Sequence, residues 1–436
     1  MSAPGIPNLF KVPELKNKLL FTLLCLVIYR IGAHIATPGV NVQAMQDYLS
    51  NQAQGTLFSL YDLFAGGGLF RATVFALGIM PYISASIVFQ MAGPVFPVLE
   101  KMQRDEEGRN KITQWTRYLT VALCLFQAYG YALFVESQIP GAVGSPGFGF
   151  RLTTVLTLTT GGIFVMWLGE QITERGIGNG ASLLIFFSII ERIWPETLKT
   201  VESLKAHATD WRLLLVVAAI MLAVVAFTTA ITVASRRIPI QIPRKVMGRG
   251  RIREGQKTFI PLRLLTANVM PIIFAQSLII VPSTLATFVG GSALRRINDW
   301  FNPGGWLYIV SLTVLIIFFT YFYTSIVFNP VDLAENLKKQ GGFIPGVKPG
   351  QATADYIDEV LTRITLPGAF FLALAAILPI MASTWLNLPF GFGGTALIIV
   401  VGVALDTIQQ IQQHLLLRHY DGFMKEGRVK FRGRVS

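Results

Sequence analysis

The feature that most constrains the fold is an apolar stretch, residues 57–92, which three consecutive glycines interrupt at 66–68. Glycine weakens a helix by about 1 kcal/mol per residue relative to alanine, so three together predict a break. The piece before the break, 57–65, would rise only ~13 Å as a helix, whereas a bilayer core is ~30 Å thick. We therefore expect a half-helix that enters the membrane without crossing it, followed by a complete span at 72–91.

Non-helical backbone is tolerated at membrane depth only where protein or a water-filled cavity surrounds it. The half-helix therefore implies an internal cavity. It also contains Asp62, a residue type that lipid disfavours. The alternative is an amphipathic helix that lies on the membrane surface ahead of an ordinary span, and the residues alone leave that alternative open.

The composition is typical of a polytopic membrane protein. Of the 436 residues, 52% are hydrophobic and 14% are charged, whereas soluble domains carry about 25% charged residues. Apolar runs of about 20 residues predict ten spans. Their bounds are 18–37, 72–92, 115–136, 152–172, 181–194, 211–234, 266–290, 306–329, 365–386 and 393–415. The predicted fold class is all-α, with ten transmembrane helices and the half-helix.

Basic residues are distributed unevenly between the two sets of loops. They concentrate in both termini and in the loops after spans 2, 4, 6 and 8, while the opposite loops hold few, Arg192 among them. The positive-inside rule then places both termini in the cytoplasm. The N-terminus lacks the layout of a cleavable signal peptide, so we expect the first span to be retained. Five spans on each side of the 5–6 link predict two pseudo-symmetric inverted halves, 1–195 and 196–436.

Two long basic loops have features of ordered structure. Isoleucines alternate with proline and polar residues around 238–243, which predicts a strand or hairpin arm within 235–265. The loop 330–364 predicts a short helix, a glycine-proline turn at 341–350 and a second helix. In span 2, Pro81 is expected to bend the helix, and Ile79 and Ile83, four residues apart, are expected to share one face.

The sequence contains no recognisable catalytic set. The four histidines are scattered, and GIGNG at 176–180 lacks the Lys-Ser/Thr of a phosphate loop. Cys25 and Cys124 lie in apolar runs and offer neither a disulfide framework nor metal-ligand spacing. Asp406 is a candidate for ion coupling, the alternative being a structural carboxylate satisfied by Gln409 or Gln410. We expect no enzyme, cofactor or metal, and any driving force must come from partners.

Three long motifs carry a family resemblance: GIMPYISAS at 78–86, WLGEQITERGIGNG at 167–180 and NPVDLAENLKKQGGFIPGVKPGQAT at 329–353. Through them the chain resembles the SecY family, the central subunit of the bacterial protein-conducting channel, over nearly its whole length. The resemblance implies a clamshell of spans 1–5 and 6–10 around an hourglass pore. It implies a passive channel for unfolded polypeptide in the plasma membrane, assembled with SecE and SecG and driven by the SecA ATPase or the translating ribosome.

The resemblance also assigns four groups of site residues. The plug that closes the external funnel consists of Leu57, Phe58, Ser59, Leu60, Tyr61, Asp62, Leu63, Phe64, Ala65, Gly66, Gly67 and Gly68. The constriction ring consists of Ile79, Ile83, Ala181, Ile185, Ile273 and Ile399. The lateral gate, where signal peptides and nascent chains meet membrane lipids, consists of Pro81, Ser84, Ser86, Gln90, Pro271 and Gln276. The surface for SecA and for ribosomal RNA phosphates consists of Arg244, Lys245, Arg249, Arg251 and Lys348.

Two positions depart from the family pattern. Ala181 is smaller than the branched aliphatic residue usual there, and Lys348 lacks the bidentate fork of the arginine found in many relatives. An aliphatic ring fits the implied function because it offers an ion no replacement for its hydration shell. Two other functions are considered. A secondary transporter of a small solute would be marked by membrane-embedded acids that match in both halves, and the sequence lacks them. The other is a scaffold or insertase that only holds helices and has no pore.

Overall fold

The computed structural model describes residues 13–52, 57–205, 211–241, 246–247, 251–252, 257–265, 268–289, 305–385 and 394–427. The first helices are α1 (Pro13–Gly32), α2 (Val42–Gln52), α3 (Leu57–Phe64), α4 (Met80–Val95), α5 (Pro97–Arg104), α6 (Glu106–Gln138), α7 (Phe148–Arg175), α8 (Gly180–Lys205) and α9 (Trp211–Val233). Four short strands follow: β1 (Ser235–Gln241), β2 (Val246–Met247), β3 (Arg251–Ile252) and β4 (Lys257–Arg263). The chain continues through α10 (Met270–Val289), α11 (Trp306–Val327), α12 (Pro330–Lys339), α13 (Gln351–Trp385) and α14 (Gly394–Gly427).

Each predicted span overlaps one helix, and the helical, polytopic membrane fold is confirmed. In the described part of the chain, five helical segments are long and apolar enough to cross a bilayer: Glu106–Gln138, Phe148–Arg175, Trp306–Lys339, Gln351–Ala382 and Thr395–Leu415. The third of these takes α11 and α12 together. A sixth span results if α4 and α5, which meet at a bend of 111°, count as one. The number of ten spans stays a prediction.

Proline does not end the fifth span where the sequence indicated. The expected boundary lay before Pro195, but α8 continues through that residue to Lys205. A proline removes one backbone donor and crowds the preceding turn, and here the helix continues on both sides of it. α13 likewise contains Pro367 and Pro379 within a single helix of 35 residues.

The chain forms two compact units. The first comprises Met1–Glu202, Ile280–Asp299 and Val403–Ser436, and the second comprises Ser203–Ile279 and Trp300–Gly402. Within the first unit, α6 packs against α4 and α7, and α1 packs against α7. Within the second, α13 packs against α9, α11 and α12. The division into inverted halves at residue 195 stays a prediction.

The two long basic loops fold as the sequence predicted. β1 and β4 pair antiparallel with Ile238 opposite Ile260, and β2 pairs with β3 further out. α12 begins where the side chain of Asn329 accepts a hydrogen bond from the Val331 amide, with Pro330 in the first turn, an arrangement that favours helix initiation. A glycine-rich turn then leads directly into α13.

These loops share one hydrophobic core. The backbones of Gln241 and Phe343 exchange two hydrogen bonds of 3.0 Å, which joins the hairpin to the turn after α12. Buried aliphatic side chains from the hairpin, α12, the turn and α13 pack together: Ile238, Ile240, Leu262, Leu337, Ile344, Ile357, Val360, Leu361 and Ile364. We call this body the basic arm; it is one folded piece rather than two separate loops.

Candidate functional site

The first element of the site is α3, the half-helix that the glycine break predicts. Its eight residues rise ~12 Å, much less than a bilayer core of ~30 Å. The side chains from Leu60 to Phe64 are buried, and so are Ala65, Gly66 and Gly68. Ser59 and Gly67 are half-buried, while the side chains of Leu57 and Phe58 lie outside the described part. This enclosure does not fit a helix that lies on the membrane surface.

The chain between α3 and α4 differs from the prediction of a span that starts at residue 72. Residues 65–79 form a series of turns, and α4 begins only at Met80. Gly66, Gly67, Gly78 and Ala72 all have positive φ, which is incompatible with a right-handed helix. A β-carbon on Gly78 would come within 3.2 Å of the Ala65 backbone. The glycines therefore permit a tight re-entrant path.

The irregular segment obtains its hydrogen bonds from within the protein. The Tyr61 hydroxyl donates to the Leu77 carbonyl at 2.9 Å, and the Tyr131 hydroxyl donates to the Leu69 carbonyl at 3.1 Å. The Thr37 amide donates to the Ala72 carbonyl at 2.8 Å. These bonds satisfy the condition for non-helical backbone in a membrane protein, since lipid cannot supply partners.

Sequence reasoning missed a pair of charged residues that contact this segment. Arg192 was assigned to an external loop, but it lies inside α8, and its Nη1 is 3.1 Å from Oδ2 of Asp62. The preceding residue, Glu191, contacts both Arg30 and Arg71. A Glu-Arg pair directly after the apolar run 183–190 was the signal that could have indicated a buried partner.

Four predicted ring residues belong to the first unit. Ile79 is the N-cap residue of α4 and its carbonyl accepts the Ile83 amide at 3.2 Å, so the two share a face as expected. Ala181 and Ile185 lie in the first turns of α8. The three isoleucines are buried and Ala181 is half-buried. Pro81 does not bend the helix; it lies in the first turn, where no intrahelical donor is lost.

The other two ring residues belong to the second unit. Ile273 lies in the first turns of α10 and Ile399 lies near the start of α14. Both side chains are buried. All six ring residues are thus at least half-buried, and none projects from the surface of its unit.

The predicted gate residues provide polar atoms within apolar helices. In α4, the Ser84 hydroxyl donates to the Met80 carbonyl at 3.0 Å, and Gln90 donates to the Ser86 hydroxyl at 2.7 Å. In α10, Pro271 is buried in the first turn and buried Gln276 donates to the Thr395 hydroxyl. These polar side chains therefore bond within their own units.

The turn between α7 and α8 is fastened by side chains from distant helices. The Ile177 amide donates to the Thr22 hydroxyl of α1, and the Gly178 amide donates to Oε1 of Gln410 in α14. Gln410 therefore bonds to this turn. The choice between ion coupling and a structural role for Asp406 stays a prediction. The turn sets where α8 starts and so where the predicted ring residues Ala181 and Ile185 lie.

The predicted docking residues are placed only in part. Arg244, Lys245 and Arg249 lie outside the described residues. Arg251 is in β3, where its backbone pairs with Met247. Lys348 is exposed on the turn before α13 and its carbonyl accepts the Thr353 hydroxyl. The basic arm thus presents at least one of the expected cations to solvent.

Together the fold and the site define a class: a polytopic α-helical membrane protein with a buried re-entrant half-helix. The SecY family model matches residues 73–408. The chain is 44% identical over 423 residues to the protein translocase subunit SecY of Aquifex aeolicus, covering 96% of this chain and 98% of that relative. It is 42% identical over 428 residues to the protein translocase subunit SecY of Escherichia coli K12, covering 97% of this chain and 96% of that relative. The chain belongs to the SecY family.

Solved structures share the fold at lower sequence identity. A protein-conducting channel superimposes with a TM-score of 0.67 at 19% identity, covering 94% of this chain and 97% of the other. A structure on the plug domain of the SecY protein gives 0.66 at 19% identity with the same coverage. Sec61 in a canine ribosome–channel complex gives 0.61 at 18% identity, again covering 94% and 97%.

Proposed function

We propose that this chain is the pore-forming subunit of a protein translocase in the bacterial plasma membrane. It passes unfolded secretory polypeptides across the membrane and releases membrane-protein helices laterally into it. The observation that carries the proposal is the half-helix α3, which is too short to span and is enclosed by protein. A buried segment of this kind can block a pathway in one position and clear it in another.

Family membership and the burial of the six predicted residues support the proposed constriction ring. Aliphatic side chains have no fixed polar group, so they fit around an extended polypeptide of almost any sequence. The same side chains give a small ion no substitute for its water shell. A narrow aliphatic ring therefore selects against ions while it remains indifferent to the sequence of the transported chain.

The lateral gate is assigned to α4 and α10. Their serine and glutamine side chains make hydrogen bonds within their own units, and we propose that the two helices separate when the gate opens. Signal peptides and nascent spans would leave the pore here and enter the lipid.

The partners we propose are SecE and SecG, which complete the complex, and SecA or the ribosome, which drives it. The exposed Lys348 and the basic strands of the arm supply positive charge, which suits acidic protein surfaces and the phosphates of ribosomal RNA. The excess of basic residues in one set of loops and in both termini supports a cytoplasmic location for them. The channel is passive, and its energy comes from the motor.

Single-channel recording tests the proposal. The complex is reconstituted in a planar bilayer, with and without deletion of residues 57–68. We expect the intact complex to be nearly silent and the deletion variant to show large conductance, because a plugged pore has been opened. If the deletion variant is correctly folded and equally silent, the chain is not a plugged pore, and a scaffold or a small-solute transporter becomes the better description.

A further inference from the structure

α8 contacts the half-helix α3 through the side chain of Arg192. Its guanidinium Nη1 lies 3.1 Å from Oδ2 of Asp62 and 3.4 Å from the Ser59 carbonyl oxygen. Asp62 is only 2% exposed. One side chain of α8 therefore binds both a carboxylate and a main-chain acceptor of α3.

The same carboxylate also reaches across the glycine break. Oδ1 of Asp62 accepts the Phe70 amide at 3.0 Å, and the Arg192 guanidinium lies 5.9 Å from the centre of the Phe70 ring. The half-helix and the chain that follows the glycines are thus tied to each other and to α8 at a single point.

Glu191 holds the downstream end of the segment. Its Oε1 lies 3.9 Å from Nη1 of Arg71, the first charged residue after the glycines, and it also pairs with Arg30 of α1. Arg71 is further bonded to Nε2 of His34 at 3.1 Å. Glu191 and Arg192 are consecutive in α8. Each therefore pairs with a residue of opposite charge, Glu191 with Arg71 after the glycines and Arg192 with Asp62 before them.

We propose that Glu191 and Arg192 form a latch that keeps the half-helix in its closed position, with Asp62–Arg192 as the decisive pair. The inference rests on the proposed role of α3 as the plug and adds the residues that regulate it. Removing one partner of a buried pair leaves an uncompensated charge, which is strongly unfavourable. In the proposed open state, water that enters the pore would hydrate both charges and let the pair separate, so the attachment is firm and reversible.

The experiment measures resting ion conductance of the reconstituted complex for D62N, R192Q, R192K and the double variant D62N/R192Q. We expect a rise of about tenfold or more in D62N and R192Q, because each leaves the other group without its charge partner. R192K should stay near the wild type, since it keeps the charge. The double variant should be no leakier than the leakier single one, because both changes break the same contact.

A matched control comes from the pair Glu136–Arg151, which joins α6 to α7 at 2.6 Å in the same unit. E136Q should leave resting conductance unchanged, and thermal unfolding is recorded for every variant to confirm that each is folded. If deletion of 57–68 raises the resting conductance but D62N and R192Q do not, the latch is wrong, while the proposed role of α3 as the plug still stands. If the deletion is silent too, the proposed function itself fails. Additive effects in the double variant, or an equal leak in E136Q, would also overturn the latch.

Discussion

Gly180, the first residue of α8, lies against the Gly169 carbonyl of α7 so closely that a β-carbon at position 180 would overlap that oxygen. The Gly180 amide donates to the Thr173 hydroxyl at 2.9 Å. The atoms that this β-carbon would meet are main-chain atoms of Gly169, so rotation of a side chain cannot relieve the clash. This contact fixes the turn that positions Ala181 and Ile185.

We expect G180A to destabilise the protein by at least ~1–3 kcal/mol, the usual cost of forcing an extra methyl group into a packed site. Thermal unfolding of the purified complex measures the effect. G144A is the control, because a β-carbon at Gly144 meets nothing within 4 Å. Equal melting temperatures for the two variants would contradict the packing that we describe.

Y61F tests the contact between α3 and the turns that precede α4. Loss of the Tyr61 hydroxyl leaves the Leu77 carbonyl without this donor in a buried setting, at a cost of about 1–3 kcal/mol. We expect a higher resting conductance than in the wild type. Y118F serves as the control because Tyr118 is 70% exposed. A resting conductance of Y61F that matches Y118F would show that this bond does not hold the plug.

I83N tests the aliphatic ring in a channel that already lacks residues 57–68. An amide at this buried position hydrates the constriction and lowers the barrier to ions, so we expect ion flux to rise severalfold. V88N, on the same helix but 52% exposed, is the control. Unchanged flux in I83N would remove Ile83 from the ring.

K348E tests docking on the basic arm. Reversing this exposed charge should weaken co-sedimentation with SecA and with ribosomes, most clearly at low salt, where charge interactions are least screened. K348R should bind at least as well as the wild type because arginine adds a bidentate fork. K339E is the control, since Lys339 is also exposed but pairs with Glu335. Charge reversal at Arg244 and Lys245 extends the test. If SecA and ribosomes still co-sediment with a variant that carries all three reversals, the arm is not the docking surface.

A disulfide between α4 and α10 tests the lateral gate. The native thiols of Cys25 and Cys124 are free and buried, so both are first replaced by alanine. Cysteine pairs, one on each helix, are then oxidised, and transport of a signal-bearing protein into vesicles is measured. We expect transport to stop when the pair is cross-linked and to return on reduction. Normal transport by a fully cross-linked pair would rule out opening at this seam.

Local patterns were sufficient for much of the fold. The apolar runs predicted the helices, and the triple glycine predicted the break that ends α3 near Phe64. The alternation around Ile238 predicted the hairpin, because a two-residue period is a local property of the chain.

What the sequence could not supply depended on contacts between distant residues. The start of α4 at Met80 follows from positive φ at Ala72 and Gly78, which tertiary hydrogen bonds stabilise against the apolar pattern. Asp62 and Arg192 are 130 positions apart, so no period or spacing could pair them. The six predicted ring residues came from the family resemblance, since aliphatic residues in a span usually face lipid or the protein core.

The length of α13 has a mechanical consequence. Its first turns contribute Ile357, Val360, Leu361 and Ile364 to the core of the basic arm, and the same helix continues without interruption through the predicted ninth span to Trp385. At about 1.5 Å per residue it is a rod of ~50 Å. If a partner binds the arm as proposed, it binds a body that shares one continuous helix with the rest of the second unit, so a displacement of the arm would be passed to that unit through the backbone of α13.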